Sequence, residues 1–364
     1  MNIQTQIPFF RRGQREVKKR LIYTILFFLL ISEMNINAQD VSFSQVYSSP
    51  IYLSPSFTGF TSGGRAILNF RDQWPGIKNA YRTFAFSYDQ YISYFNSGIG
   101  LLFLNDDQGA GQIVTQNVGV NYAYELAITS DVFARPGLQF KYFGLRTDPL
   151  RYMEVDWSGT RHPLLNPDIM FEQHHKVDAT ASLMVYSNFF WLGGTVDHLI
   201  KNYVGFGEVS YPLEMKITAF GGAKWRYMES YRGRSEQSAT FAFKFSRQGY
   251  FQQLDLGVYG NVEPLEVGLW YRGIPGISKG GLSNNDAIIF SLGVSLGTFH
   301  VAYSYDLTIS KLAGYSGGSN EIAIIYRFKG EGTITPNRGA VPCGEYHWGI
   351  GDQSKMSRKK RSFF

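Results

Sequence analysis

The stretch Gln237–Leu307 contains four segments in which apolar and polar residues alternate, among them ATFAFKFS at 239–246 and FHVAYSYDL at 299–307. A side-chain period of two is that of a β-strand with one apolar and one polar face. In a soluble sandwich the aromatic face would point into the core. In a membrane barrel it would point outward to lipid, and the polar face would line the lumen. The remainder of the sequence distinguishes these two folds.

The composition fits a membrane barrel. The chain has 364 residues, of which 16% are aromatic, and it contains 39 glycines. Aromatic residues are enriched both in β-strands and at membrane interfaces. The slightly negative mean hydropathy of −0.17 argues against a bundle of membrane helices. A barrel tolerates this value because about half of its strand residues face water.

Residues 1–38 have the pattern of a secretory signal peptide. A basic stretch precedes Leu21–Ile31, an apolar run that is too short to span a bilayer, and cleavage after Ala38 would leave Gln39 first. An uncleaved N-terminal anchor helix is the alternative interpretation. The single cysteine, Cys343, offers no intrachain disulfide to an exported protein.

The formal net charge of +6 does not indicate a nucleic-acid-binding surface. Residues 1–38 carry six positive and two negative charges, so the rest of the chain carries +6 − 4 = +2. Residues 329–364 contain seven Lys/Arg and three Asp/Glu, a surplus of +4, which leaves +2 − 4 = −2 for 39–328. The positive charge is therefore concentrated in a basic tail, 329–364, and no nucleic acid is expected as a partner.

Alternating segments recur through residues 65–328, and fourteen can be counted. An even number of strands, most of them near the roughly 9–11 residues that a tilted membrane strand needs, is typical of single-chain outer-membrane barrels. Tight turns at Ser187–Asn188 and Gly297 follow even-numbered strands, whereas the longer connections follow odd-numbered ones. The longer connections are 146–174, 199–213, 273–286 and 308–319.

This asymmetry is that of short periplasmic turns and long outer loops, and a soluble sandwich has no counterpart to it. We therefore predict an all-β fold, a transmembrane antiparallel up-and-down β-barrel of about 14 strands, in the outer membrane and with both termini periplasmic. The connection Arg226–Ser235 departs from the pattern, because it is long where a short turn is expected. The predicted strands are 65–74, 81–89, 98–105, 113–126, 132–145, 177–186, 189–198, 214–225, 239–246, 252–259, 265–272, 287–296, 299–307 and 320–328.

Residues 39–64 are rich in Ser and Pro and show no long alternation, so they predict an irregular periplasmic segment rather than a barrel strand. A fourteen-stranded barrel is too wide to be filled by its own side chains, since about eight strands already fill the interior. We expect either this plug segment, 39–64, or the loop 146–174 to occupy the lumen. The predicted organisation is signal peptide (1–38), plug segment (39–64), barrel (65–328) and basic periplasmic tail (329–364).

Charged residues of both signs lie on the lumen-facing parity. Mixed signs do not favour an ion-selective ring. The charges form either a polar pathway or, as we favour, a network paired with itself and with a plug, because an unpaired buried charge is costly. The residues are Glu125, Lys141, Lys244, Asp255, Glu266, Arg272, Asp306, Glu321 and Arg327.

Eight short motifs resemble those of the PorP/SprF family of the type IX secretion system, and they span Gln39 to about Phe328. The succession of RDQWPG and then GLWYRG is the more specific part, and Ser54 stands where such proteins usually have Asn. The motifs are QDVSFSQ (39–45), LSPSFTG (53–59), NFRDQWPG (69–76), SYDQ (87–90), QLDLG (253–257), GLWYRG (268–273), YSYD (303–306) and SGGSNEI (316–322).

The resemblance implies an outer-membrane barrel of the type IX secretion and gliding motility machinery. Such a barrel would assist the secretion or surface retention of a protein with a C-terminal sorting domain, often an adhesin, and would dock periplasmic ring and lipoprotein subunits. The residues themselves indicate no Ser/His/Asp set and no paired carboxylates at one rim, so we predict a non-enzymatic protein without cofactor or metal. The alternatives are a fourteen-stranded transport channel for hydrophobic or small polar molecules and an outer-membrane enzyme.

The family motifs supply the candidate contact residues. Arg71, Asp72, Gln73, Trp74 and Pro75 are predicted at the outer end of the first strand. They form either a structural corner, with Trp74 at the membrane interface and an Arg71–Asp72 pair at the turn, or a contact with secreted cargo. The second motif adds Trp270, Tyr271 and Arg272.

Two further groups of residues, the histidines of the long loop and the cations of the tail, are candidate sites. His162, His174 and His175 lie near Asp168 and Glu172, but adjacent histidines on an extended segment point apart, so a solvated loop is favoured over a metal site. The end of the basic tail is either a solvated terminus or a docking segment for an acidic periplasmic partner. Its cations are Lys355, Arg358, Lys359, Lys360 and Arg361.

Overall fold

A computed structural model of the chain describes residues 40–61, 63–77, 81–109, 113–147, 153–155, 161–163, 173–206, 209–228, 237–279 and 282–328. The predicted signal peptide, Cys343 and the basic tail lie outside the described residues.

Fourteen antiparallel strands pair in chain order, and the first strand pairs with the last. The sheet is therefore closed into a barrel, and the all-β, fourteen-stranded prediction is confirmed. Leu126–Ala127, a separate two-residue piece, continues β4 beyond Glu125. The strands are β1 (Gly64–Gln73), β2 (Tyr81–Ile92), β3 (Ser97–Gln108), β4 (Ile113–Tyr124), β5 (Val132–Thr147), β6 (Gln173–Ser187), β7 (Phe190–Asp197), β8 (Lys216–Met228), β9 (Gln237–Gln248), β10 (Phe251–Val262), β11 (Leu265–Lys279), β12 (Leu282–Leu296), β13 (Phe299–Thr308) and β14 (Ser319–Arg327).

The outward face of the barrel is apolar. Phe241, Val267 and Phe290 are 53%, 58% and 52% exposed, whereas the inward-facing Thr240 and Trp270 are 2% and 1% exposed. A band of exposed apolar side chains around a closed barrel is a lipid-facing surface. This orientation excludes the soluble sandwich, in which the aromatic rows would be buried.

The strand ends form two rims, which we call the odd mouth and the even mouth after the strands that end there. The odd mouth carries the connections 148–172 and 198–215 and the loop 309–318, whereas the even mouth carries tight turns at 188–189 and 297–298. This is the predicted asymmetry in length, which in outer-membrane barrels distinguishes outer loops from periplasmic turns.

The structure departs from the predicted connections in three places. Most of 273–286 is strand, because β11 and β12 continue toward the odd mouth with an irregular register after Arg272, which glycine-rich sequence tolerates. His174 and His175 belong to β6 rather than to a loop. Gly249 and Tyr250 form a two-residue turn at the odd mouth, where a longer connection would fit the pattern.

The plug segment lies inside the lumen. It forms three short helical turns, Val46–Ser48, Pro50–Leu53 and Pro55–Phe57. All residues from 43 to 60 except Tyr52 are buried. Irregular backbone is tolerated at membrane depth only where it is enclosed by protein. The wall of the barrel must therefore supply the polar partners of this segment.

The plug segment crosses the lumen once, from the odd to the even mouth. At the odd mouth Asp40 N donates to Gln248 Oε1 (3.1 Å), and toward the even mouth Gly59 N donates to Asp89 Oδ2 (2.7 Å) before β1 begins. Fourteen strands then return the chain to the even mouth at Phe328. The two described ends, Asp40 and Phe328, therefore lie at opposite mouths. The expectation that both termini are periplasmic concerns residues outside the described ones and stays a prediction.

Within the described part of the chain, no helix combines the length and the hydrophobicity that crossing a membrane requires.

We expect the substitution Leu269→Arg to lower the free energy of unfolding in lipid by about 2–4 kcal/mol, because it places a cation in the hydrocarbon. Leu269 is 46% exposed on β11. Gln90→Arg, at an exposed polar position near the even mouth, is the matched control and should cost about 0–1 kcal/mol. Urea unfolding in lipid vesicles measures both, and equal effects would contradict a lipid-facing Leu269.

Candidate functional site

Six buried side chains near the odd mouth join the plug segment to the wall, and we call them the lumen lock. Each is at most 3% exposed. They come from the plug segment and from β1, β10, β11, β13 and β14. The six are Ser44, Arg71, Asp255, Arg272, Asp306 and Glu321.

Arg71 connects the plug segment to the last two strands. Its Nη2 lies 3.0 Å from Asp306 Oδ2, and its Nη1 lies 3.2 Å from Glu321 Oε2. Nη1 also donates to Ser44 Oγ at 2.5 Å. Arg71 and Glu321 are register partners on β1 and β14. The ion pair therefore spans the seam at which the barrel closes.

Arg272 makes a similar connection from β11. Its Nε lies 3.0 Å from Asp255 Oδ1, its Nη1 lies 3.4 Å from Asp306 Oδ2, and its Nη2 donates to Phe43 O at 3.4 Å. Lys244 Nζ lies 3.0 Å from the second oxygen of Asp255. The two cations of the lock and the neighbouring Lys244 thus share three carboxylates, so the charges balance when Lys244 is included.

Glu321 also binds the backbone of the plug segment. Ser44 N donates to Oε2 (2.7 Å) and Gln45 N donates to Oε1 (3.1 Å). The Gln45 side chain donates to Glu321 O at 3.0 Å. These bonds satisfy amides that an irregular, buried segment cannot satisfy by itself. Removing one partner of such a buried pair typically costs about 3–5 kcal/mol.

The lock brings together six of the eight motifs that carry the family resemblance. QDVSFSQ supplies Ser44, NFRDQWPG supplies Arg71, QLDLG supplies Asp255, GLWYRG supplies Arg272, YSYD supplies Asp306 and SGGSNEI supplies Glu321. The other two motifs, LSPSFTG and SYDQ, meet each other through the Gly59–Asp89 bond. In this chain, all eight motifs therefore contribute contacts between the plug segment and the wall.

A second anchor holds the plug segment near the even mouth. Arg135, which is fully buried, donates from Nε to Ser56 O (3.1 Å) and from Nη2 to Thr58 O (2.6 Å). Its Nη1 lies 2.5 Å from Glu125 Oε2, which also accepts from Tyr186 OH at 2.8 Å. The cation thus binds the two carbonyls while its own charge is neutralised.

Aromatic rings fill the lumen between the two anchors. Tyr47 packs edge-on against Trp191, with ring centroids 5.4 Å apart, and Trp191 Nε1 donates to Tyr47 OH at 3.2 Å. Trp270 packs directly on the backbone of the neighbouring strand at Gly257, because a Cβ at Gly257 would be 2.1 Å from the indole ring. Glycine is therefore required at 257 by close approach rather than by backbone conformation.

A third anchor fixes the start of the plug segment at the odd mouth. Asp40 Oδ2 lies 3.0 Å from His198 Nε2 and 3.3 Å from Lys216 Nζ, and His198 Nδ1 lies 2.7 Å from Asp178 Oδ2. Burial alone would raise the pKa of Asp40, but Lys216 and His198 hold it well below its usual range. Burial alone would lower the pKa of His198, but Asp40 and Asp178 raise it to about 9.

The structure divides the predicted contact residues into two groups. Arg71, Trp270 and Arg272 are buried in the lumen and bind the plug segment or pack beside it. Arg71 and Asp72 point to opposite faces of β1, so the predicted pair between them is wrong, and Asp72 Oδ1 instead lies 3.5 Å from Arg82 Nε. Neighbouring residues on a strand cannot face each other.

The remaining rim residues form a corner at the odd mouth. Trp74 N donates to Gly318 O (2.9 Å) and Gly76 N donates to Ser316 O (3.0 Å), so NFRDQWPG and SGGSNEI also meet at the rim. Trp74 packs edge-on against Tyr81 at 5.6 Å. The residues left at or near the rim are Asp72, Gln73, Trp74, Pro75 and Tyr271, whose hydroxyl donates to Asn285. Whether they contact cargo stays a prediction.

The histidines show pairing with neighbours rather than a shared site. His175 stacks on Tyr142 and its Nδ1 lies 2.6 Å from the Tyr142 hydroxyl. Asp168, Glu172 and the side chain of His162 lie outside the described residues. Among the residues that the structure does describe, no group of three His, Cys, Asp or Glu side chains could hold a metal ion.

Residues 314–318, GYSGG, have the spacing of a serine nucleophile elbow, G-x-S-x-G. In this chain the segment joins two strands rather than a strand and a helix. Ser316 is 1% exposed, and its Oγ donates to Thr308 Oγ1 at 3.0 Å. The spacing therefore gives no support to a catalytic serine.

Sequence reasoning did not single out several anchor residues. Ser44 and Asp89 stand inside quoted motifs, so the motifs were the available signal. Arg135 and His198 stand in no motif, and Pro136 beside Arg135 obscures the alternation of β5. The tail residues Lys355, Arg358, Lys359, Lys360 and Arg361 lie outside the described residues, and their docking role stays a prediction.

Comparison with known proteins identifies a family. The sequence model of "Type IX secretion system membrane protein PorP/SprF" matches residues 35–326. No curated protein matches the chain.

Solved structures of several barrels resemble the chain weakly. CdiB from Acinetobacter baumannii is 7% identical over 73% of this chain and 60% of that chain, with a TM-score of 0.45. The outer membrane protein Omp33 of A. baumannii is 8% identical over 72% and 98%, with a TM-score of 0.41. The P. putida toluene transporter TodX is 9% identical over 76% and 92%, with a TM-score of 0.42. The chain thus spans less than two thirds of CdiB.

Replacing Arg71 by Met leaves Glu321 and Asp306 buried with one cation fewer, so we expect the free energy of unfolding to fall by about 3–5 kcal/mol. The control Arg82→Met removes an exposed ion pair, in which Arg82 is 69% exposed, and should cost less than about 1 kcal/mol. The double variant Arg71→Met/Glu321→Gln should recover part of the loss. Urea unfolding in vesicles measures these values, and equal losses for both single variants would contradict the lock.

The His198 anchor should depend on pH. Because its folded-state pKa of about 9 lies above the unfolded value of about 6.5, its contribution is complete below about pH 6.5 and is lost as pH rises through about 9. The difference in unfolding free energy between the wild type and His198→Gln should therefore be larger at about pH 6 than at about pH 10. A difference that grows with pH would refute the assigned charge state.

Proposed function

Since the chain belongs to the PorP/SprF family of type IX secretion system membrane proteins, we propose that it is a non-enzymatic accessory and docking barrel of that machinery. It assists the secretion or surface retention of a protein with a type IX C-terminal sorting domain, such as an adhesin, and it docks periplasmic ring and lipoprotein subunits. Gliding motility is one process in which such a surface protein would act.

The filled lumen is the observation that supports this proposal over a transport channel. The plug segment is buried from 43 to 60 except at Tyr52, and near both mouths it is hydrogen-bonded to ion-paired side chains of the wall. A channel needs a continuous polar path, or a plug held weakly enough to move. Here several polar side chains of the wall, among them Arg71, Arg135 and Glu321, bind the plug segment. A barrel of this kind acts through its rims and flanks.

The two rims suit different partners. The corner formed by Gln73, Trp74 and Pro75 at the odd mouth is stiffened by backbone bonds to the β13–β14 loop, and it offers a preformed surface to secreted cargo. The basic end of the tail, in the periplasm, would attract an acidic ring or lipoprotein subunit over a long range. Export through the signal peptide 1–38 delivers the chain to the outer membrane, where lipid covers the apolar belt.

Deletion of the chain in its source bacterium tests the proposal. We expect one or a few surface proteins that carry the type IX sorting domain to disappear from the cell surface while the remaining surface proteins stay, and complementation to restore them. Purified barrel in planar bilayers should give no steady conductance. An unchanged surface proteome together with a steady open pore would overturn the docking role and favour the channel.

Removing Lys355–Phe364 should leave membrane insertion unchanged and should weaken co-purification of periplasmic partners, because the positive charge that attracts them is lost. The matched controls keep the length: one replaces Lys355, Arg358, Lys359, Lys360 and Arg361 by Gln, and the other shuffles the same ten residues. We expect the Gln variant to behave like the truncation and the shuffled variant like the wild type. Undiminished partner recovery with the Gln variant would refute electrostatic docking.

A further inference from the structure

The described chain ends are separated by the height of the barrel. Asp40 is held at the odd mouth by Gln248, His198 and Lys216. At the even mouth Phe328 N donates to Gly64 O at 2.8 Å. The described residues therefore pass the membrane fifteen times, once as the plug segment and fourteen times as strands.

Among the described residues, the plug segment and the wall side chains that pack against it fill the lumen. Residues 43–60 occupy it, and the inward side chains of the wall pack against them. Tyr47, Phe57 and Phe60 lie in one buried cluster with Trp191 and Phe220 of the wall. Whatever precedes Asp40 must continue from the odd mouth, and whatever follows Phe328 must continue from the even mouth.

The same contacts indicate that the plug segment is enclosed while the barrel forms. Ser44 binds both Arg71 and Glu321, which face each other across the β1–β14 seam. Threading the segment through a barrel that has already closed would require the buried Arg71–Glu321 pair to open and to form again around Ser44. Closure of the wall around the segment avoids that cost.

We propose that the two flanks of the barrel lie on opposite sides of the outer membrane, with the chain ahead of Asp40 outside the cell and the chain after Phe328 in the periplasm. The orientation follows from the connections, because the long ones, 148–172, 198–215 and 309–318, lie at the odd mouth. Only the C-terminal end is then periplasmic, in place of the two periplasmic termini expected from the sequence.

This placement puts the start of the plug segment, next to Asp40, at the cell surface. With cleavage after Ala38, the mature chain begins next to Asp40, at the outer rim. The first residues of the plug segment line a recess there, together with Lys216 and Phe251. A secreted protein retained at the surface would meet this flank and the rim corner from outside, whereas the basic tail would meet only periplasmic proteins.

Cysteine labelling on intact cells tests the proposal, because the chain has a single native cysteine, Cys343, in its tail. The reagent is a polyethylene-glycol maleimide too large to cross the outer membrane. Two reference variants in a Cys343→Ser background report the mouths: Tyr315→Cys, 78% exposed in the odd-mouth loop, and Tyr94→Cys, 88% exposed in an even-mouth turn. Asp40→Cys in the same background reports the N-terminal flank, and native Cys343 reports the tail.

We expect Tyr315→Cys and Asp40→Cys to be labelled to the same extent in intact and permeabilised cells. Tyr94→Cys and Cys343 should be labelled only after permeabilisation. As a second measurement that keeps all anchor residues, an epitope inserted between Gln39 and Asp40 should bind antibody on intact cells. Asp40→Cys and Cys343 behaving alike would overturn the opposite placement. Labelling of Tyr94→Cys on intact cells, with Tyr315→Cys labelled only after permeabilisation, would overturn the orientation.

Discussion

The neutralisation of Glu321 inside the lumen is the interaction on which the other features depend. This carboxylate is fully buried on the last strand, beside the seam that closes the barrel. Arg71 reaches it from the first strand, and the amides of Ser44 and Gln45 reach it from the plug segment. A buried carboxylate is tolerated only with such partners. Closure of the wall and docking of the plug segment are therefore coupled, since one charge requires both.

Polar side chains on the lumen-facing side of the strands likewise serve as partners of the plug segment. A lumen of fourteen strands leaves space that wall side chains cannot fill. The irregular segment that fills it brings unpaired amides and carbonyls with it. Arg135 binds the carbonyls of Ser56 and Thr58, Asp89 binds the amide of Gly59, and Glu321 binds two more amides. Side chains that would line the water path of a porin are here the hydrogen-bond partners of a second piece of backbone.

The sequence predicted the wall well and the path of the plug segment poorly, for physical reasons. A period of two over eight or more residues predicts a strand with one apolar face, and the even strand number and the asymmetry of the connections placed Phe241 and Phe299 on the outside. Residues 39–64 have no period, and their fold is decided by partners on distant strands, from Arg71 at 27 residues to Glu321 at 277 residues from Ser44. Arg71 was assigned to the rim with Asp72, although the parity of β1 separates the two. Residues 273–286 are rich in glycine and lack strict alternation, so the sequence predicts a loop where the structure has strand extensions with an irregular register.

The eight family motifs describe how the barrel holds its plug segment, and they do not describe a binding site for a partner. In this chain all eight make plug-to-wall contacts, and two of them also stiffen the rim corner at Trp74 and Gly76. A resemblance carried by these motifs therefore specifies a barrel closed around its own N-terminal segment, and it specifies no cargo. The proposed binding of a cargo must therefore use surfaces outside the lock. Because the plug segment crosses the lumen once, Asp40 and Phe328 lie at opposite mouths, and each mouth presents a different end of the described chain.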